Sequence, residues 1–102
     1  MTEKILMSPP EMRDTASFMR DRLGEITSMM QELKSRVDQD TDPQRWSGKA
    51  REAYVPMFCD THAQVLKALD ESITGLSKAL DTTATVVEQF DDELTRAYYG
   101  QN

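Results

Sequence analysis

Asp38-Gln39-Asp40-Thr41-Asp42-Pro43-Gln44-Arg45-Trp46-Ser47-Gly48 is the stretch on which the fold turns. It is crowded with residues that favour turns and ends in glycine. Pro43 disfavours an α conformation at Asp42, so a helix arriving from upstream must be over before that point. It is the one strong break in a chain of 102 residues, and hydrophobic residues recur at helical spacing on both sides of it.

Upstream, Ser8-Pro9-Pro10-Glu11 reads as a helix start: Ser8 caps, Pro9 suits the first helical position, and Glu11 completes an S-x-x-E capping box. Apolar residues follow at Met12, Ala16, Met19, Leu23, Ile26, Met30, Leu33 and Val37, at intervals of 4 and 3 in strict alternation. That is an a/d heptad seam. Arg13, Asp14, Arg20, Asp21, Arg22, Glu25, Glu32, Lys34, Arg36 and Asp38 all avoid it. The pattern predicts helix one over about 9–39, ~45 Å long at 1.5 Å per residue.

Downstream, the register is His62, Leu66, Leu69, Ile73, Leu76, Leu80, Thr83, Val87, Phe90, Leu94 and Ala97. The apolar face widens near its start to take in Tyr54, Phe58 and Val65. Helix two is predicted over about 49–97, with a kink near Pro56, which lacks a backbone donor. Gly75 lies off the seam and lowers local stability by about 1 kcal/mol relative to Ala. Residues 1–7 and 98–102 read as frayed ends.

The expected fold is all-α: one domain over residues 1–102, an antiparallel two-helix hairpin with its turn at about 40–48. Burying one seam side chain contributes about 1.5–3 kcal/mol, whereas ordering each residue costs about 1–2 kcal/mol in backbone entropy. A lone hairpin recovers that cost across a single interface. Small folds short of core turn to oligomerisation, metal or disulfides, and dimerisation into a four-helix bundle is the expectation here. Met12, Ala16, Met19, Leu23, Ile26, Met30, Leu33, Val37, Tyr54, Phe58, His62, Val65, Leu66, Leu69, Ile73, Leu76, Leu80, Val87 and Leu94 are the candidate hairpin and dimer interface.

Charge narrows the function. The net charge is −6, and acidic side chains outnumber basic ones on both sides of Gly48. No basic patch exists to release counterions from a phosphate backbone, so no nucleic-acid partner is expected. The longest apolar run, Val55-Pro56-Met57-Phe58-Cys59, falls far short of the roughly 20 residues that span a bilayer, so no integral membrane segment is expected. The N-terminus lacks the layout of a cleavable signal peptide.

Trp46-Ser47-Gly48 in the turn between two amphipathic helices, near the middle of a chain of this length, resembles the WXG family over nearly the whole sequence. These are the ESAT-like proteins of type VII secretion. Ile5-Leu6-Met7-Ser8-Pro9-Pro10-Glu11-Met12 also looks like the family's apolar lead into a Pro-Glu helix start. Specificity lies in placement, since a bare W-x-G triplet is common. The residue types have physical reasons. Glycine permits a tight turn, and tryptophan offers a large amphipathic surface that plugs a bundle end or is presented to a partner.

The resemblance implies a non-enzymatic substrate or co-secreted partner of type VII secretion, forming a homodimer or heterodimer with another helical hairpin protein. It also implies recognition by the type VII secretion ATPase machinery, and a cytoplasmic stage before export without a cleavable signal peptide. Related members carry a tyrosine followed four residues later by an acid near the end of helix two, as part of the export signal. Here Asp91 aligns with the acid, with Leu94 three residues on, while Val87 stands at the aromatic's place and Phe90 is beside it. Tyr98 is followed four residues later by Asn102, which is not acidic. Trp46, Gly48, Val87, Phe90 and Asp91 are therefore the candidate export and recognition residues.

Chemistry beyond recognition has little to stand on. His62 is the only histidine and Cys59 the only cysteine, so no intramolecular disulfide can form. A seam histidine is more often a packed, hydrogen-bonded residue than a catalytic base. Cys59 and His62 share a helical face, but zinc needs four ligands in tetrahedral reach. No catalytic residues, cofactors or metal ligands are expected. Asp91-Asp92-Glu93 reads as a solvated face or as part of the export element, and the seven methionines as adaptable core filling. Two other readings stay open: an adaptor or targeting chaperone for a larger exported toxin, and an intracellular coiled-coil scaffold unrelated to secretion.

Overall fold

Helix α1 spans Pro9–Asp40 and helix α2 spans Lys49–Tyr99. The computed structural model describes residues 7–99, and of residues 94, 95 and 97–99 the backbone alone. The termini read as frayed fall largely outside the described residues, as does the side chain of Leu94. Among the described residues there is no strand, and the chain is the all-α two-helix hairpin that its pattern predicts.

The first turn of α1 is built as its sequence dictates. Ser8 Oγ accepts from the Glu11 amide at 3.3 Å, and its carbonyl accepts from the Met12 amide at 3.0 Å. The side-chain bond satisfies a donor that the helix itself leaves open. At the other end, the Thr41 amide and hydroxyl both donate to the Val37 carbonyl, at 2.9 and 2.7 Å. Helix α2 runs on through Pro56, whose ring faces solvent.

Each helix contributes to two compact units, Met1–Arg20 with Ile73–Asn102 and Asp21–Ser72. In the first, Arg13 bonds Glu88 and also Thr85 Oγ1 at 3.2 Å, while Arg20 bonds Asp81 at 2.9 Å. Later residues of α1 meet earlier residues of α2, so the segments are antiparallel. Among its described residues, Met12, Ala16, Ser77 and Ala84 are the buried ones. In the second unit, His62 reaches the Met30 carbonyl and Arg51 reaches the Thr41 carbonyl, again in antiparallel order.

Along α1 the inner line is the heptad seam: Met12 and Ala16 are buried, Met19, Leu23, Ile26, Met30 and Val37 half-buried, and Leu33 exposed. Along α2 the inner line departs from it. His62 is buried, and Phe58, Leu66, Leu69, Ile73, Leu80 and Val87 are half-buried. However, Ser77 and Ala84 are the buried residues where Leu76 and Thr83 were expected, and Leu76 is 62% exposed. A straight α-helix turns every 3.6 residues and drifts about 20° per heptad against a 3.5 repeat. From His62 to Leu76 that drift comes to about 40°, less than the 100° between neighbouring residues, so it loosens the heptad register without itself choosing Ser77 over Leu76, and Ile73, Ser77, Leu80, Ala84 and Val87 are the inward positions of α2 in the first unit. Small side chains occupy two of them. Ser77 is 1% exposed and donates to the Thr74 carbonyl at 2.9 Å, so its burial leaves no hydroxyl without a partner.

Candidate recognition site at the W-x-G turn

The turn is held by Asp42. Its carboxylate accepts from the Gln44 amide at 2.8 Å, and its carbonyl accepts from the Arg45 and Trp46 amides at 2.8 and 2.9 Å. This is the Asx-type chemistry for which aspartate favours turns. Gly48 follows with φ +118°, the one positive φ among the described residues, and its carbonyl accepts from the Glu52 amide at 3.1 Å. No side chain stands within 4 Å of where its Cβ would be. The requirement for glycine is therefore one of backbone conformation rather than space.

Arginine side chains tie the turn to the helix ends. Arg51 Nε donates to the Thr41 carbonyl at 2.6 Å, satisfying an acceptor at the C-terminus of α1. Asp40 takes Arg36 at 2.9 Å and Arg45 at 3.1 Å. The Arg36 hydrogen bond, helped by the charges of both arginines and opposed by partial desolvation, holds the Asp40 carboxyl below its ordinary range.

Trp46 is half-buried and opens a line of rings that continues along α2. Its centroid lies 5.9 Å from that of Tyr54, Tyr54 lies 6.2 Å from Phe58, and Phe58 lies 5.6 Å from His62. These separations suit favourable aromatic pairs. Tyr54, Phe58 and His62 are four residues apart, so one helix face stacks them. His62, 8% exposed, closes the line with Nε2 2.8 Å from the Met30 carbonyl. That contact ties α2 to α1 and requires the proton on Nε2 in the neutral ring. The 4-4 spacing of the rings is visible in the sequence, but their continuity with Trp46 depends on how the turn delivers the indole.

Cys59 is half-buried beside this line. The Lys34 ammonium is held above its ordinary range mainly by its hydrogen bond to Asp38, with a smaller contribution from Cys59. Among the described residues no group of three or more His, Cys, Asp or Glu side chains is placed to share a metal ion.

Val87, Phe90 and Asp91 belong to the first unit and the turn to the second. Val87 is half-buried, while Phe90 and Asp91 are exposed. Tyr54 and Val65, expected at an interface, are exposed as well. No described helix is long and apolar enough to cross a membrane.

Residues 4–92 match the family WXG100, described as proteins of 100 residues with WXG. No curated protein and no solved structure matches the chain.

Proposed function

The chain belongs to the WXG100 family of small helical proteins associated with type VII secretion, and on that footing we propose that it is a non-enzymatic substrate or co-secreted partner of that system. It pairs with itself or with another helical hairpin, and the pair is read by the secretion ATPase machinery. Trp46 and Gly48 carry recognition at the turn, together with Val87, Phe90 and Asp91 on α2. Localisation follows: cytoplasmic first, then outside the cell.

The observation that carries this reading is the construction of the turn. A family motif whose glycine takes φ +118° and whose tryptophan heads a ring stack is a built feature rather than a chance triplet. Pairing is supported by the apolar side chains left to solvent, among them Leu33, Val65, Leu76 and Phe90, because such surface marks interaction sites. Phe90 rather than Val87 offers an accessible aromatic ring near Asp91.

The test is export of a Trp46→Ala/Asp91→Asn chain from a host with the native system. Loss from the culture supernatant, with the intracellular variant still helical and associated, is the expected result. Undiminished export of the double variant refutes the assignment.

A second reading draws on Val87. With an aliphatic residue at the aromatic's place in the export element, the chain also suits an adaptor that borrows a partner's signal and escorts a larger toxin. Co-purification with a large helical protein, and instability when expressed alone, favour that role. Retention of the chain inside the cell throughout favours the intracellular scaffold instead.

A further inference from the structure

The turn fixes the backbone of Trp46 but not its ring. Trp46 lies between the two helices, and its amide donates to the Asp42 carbonyl at 2.9 Å. That bond leaves the torsions of the indole undecided. Among the described residues, Tyr54 supplies the ring against it, with centroids 5.9 Å apart and planes inclined by 42°. Separation and tilt both suit the offset contacts that aromatic quadrupoles favour.

Helix geometry sets the rest of the line. Residues four apart rise about 6 Å along an α-helix and turn by about 40°. Tyr54, Phe58 and His62 therefore meet ring to ring, at 6.2 and 5.6 Å, with no help from the turn. The line has a buried foot and an accessible head. His62, 8% exposed, donates from Nε2 to the Met30 carbonyl of α1 at 2.8 Å, whereas Tyr54 is 37% exposed. Among the described residues the Tyr54 hydroxyl has no hydrogen-bond partner, so what Tyr54 offers the indole is its ring. All of these residues belong to the second unit.

We infer that Tyr54 is a positioning residue for recognition at the W-x-G turn: its ring fixes the plane of the Trp46 indole, and Phe58 and His62 anchor that brace to α1 through the Met30 carbonyl. The inference rests on the reading of Trp46 as a recognition residue and adds what makes it readable. A freely turning indole must be ordered when a receptor takes it. A braced one is ordered beforehand, and that pre-organisation favours binding.

Trp46 is the only tryptophan, so indole fluorescence of the full chain reports on this site alone. Tyr54→Ala should raise the acrylamide quenching constant about twofold, as a half-buried ring becomes a free one, with a red-shifted emission and lower anisotropy. Tyr54→Phe should leave all three as they are. Tyr54→Leu keeps apolar bulk on the same helix face, should quench as the alanine variant does, and replaces it if circular dichroism shows lost helix. His62→Ala should move quenching the same way by a smaller amount, and Val65→Ala, exposed on α2 outside the ring line, should not move it. Export of Tyr54→Ala should drop roughly 2–12-fold, the range set by the strength of an aromatic pair, with Tyr54→Phe exported normally and association by sedimentation unchanged in both.

Unchanged quenching in Tyr54→Ala overturns the brace, and unchanged quenching in His62→Ala overturns its anchoring to α1. Undiminished export of Tyr54→Ala, in a host that fails to export Trp46→Ala, overturns the part of Tyr54 in recognition. Loss of association in Tyr54→Ala does the same, by making it a pairing residue. Normal export of Trp46→Ala instead refutes the recognition reading itself, a failure seen separately from the quenching result.

Discussion

Leu76 and Ser77 are neighbours whose roles are the reverse of what their side chains suggest, and exchanging them tests the helix packing directly. Leu76 is 62% exposed, so only about two fifths of the roughly 1.5–3 kcal/mol available from burying a leucine is realised. Leu76→Ala should therefore cost no more than about 0.6–1.2 kcal/mol in the unpaired chain. A leucine buried on the seam would instead cost about 2–5 kcal/mol on truncation. Ser77→Leu runs the other way. Ser77 is 1% exposed, and Ala84 and Ala16 in the same unit are fully buried, so two further heavy atoms have nowhere to go. Overpacking of that kind costs about 1–3 kcal/mol, and roughly 4–8 °C in Tm per kcal/mol for a domain of about this size. Urea unfolding followed by circular dichroism, at concentrations where the midpoint no longer depends on protein concentration, gives both values. If Leu76→Ala proves the more damaging, the heptad line is the packed one and the inner line described for α2 is wrong.

Gly48→Ala meets no steric obstacle, yet forces a non-glycine residue to φ +118°, a strain of about 1–3 kcal/mol. Its urea midpoint should fall while Gly24→Ala, at an exposed helical position, gains stability; equal responses would contradict the turn geometry. The arginine pairs of Asp40 make a pH prediction. Because the folded carboxyl is held below its ordinary range, its stabilising contribution is complete above the ordinary carboxylate value and is lost as pH falls through the lowered one. The thermal midpoints of the native chain and of Asp40→Asn should therefore converge in acid and separate toward neutrality. A difference that stays constant with pH would show that Asp40 acts through something other than its charge.

Much of the fold was legible because helices announce themselves locally. Ser8, Pro9 and Glu11 are consecutive enough for capping chemistry to place the start of α1, and Pro43 and Gly48 impose their backbone constraints wherever they occur. The W-x-G motif was legible too, since its glycine needs a conformation that only its own backbone decides. Less legible was the ring stack. Spacing puts Tyr54 and Phe58 on a widened apolar face and His62 on the seam, but their continuity with Trp46 and the bond from His62 to the Met30 carbonyl join residues far apart along the chain.

The hydrophobic period of α2 shows where such reading stops. Sequence spacing by itself determined that there are two amphipathic helices, where they turn, and that greasy surface exceeds what one hairpin covers. Which residues of α2 face inward was decided by tertiary structure alone. Leucine and serine at adjacent positions lie 100° apart on a helix, and a drift of about 20° per heptad comes to only about 40° between His62 and Leu76, so periodicity leaves the choice between the two neighbours open. A linear pattern favours the larger apolar side chain for the core. Where two helices approach closely, the space between them admits Ser77 and Ala84 and leaves Leu76 to the surface, because close packing selects on volume as well as on hydrophobicity.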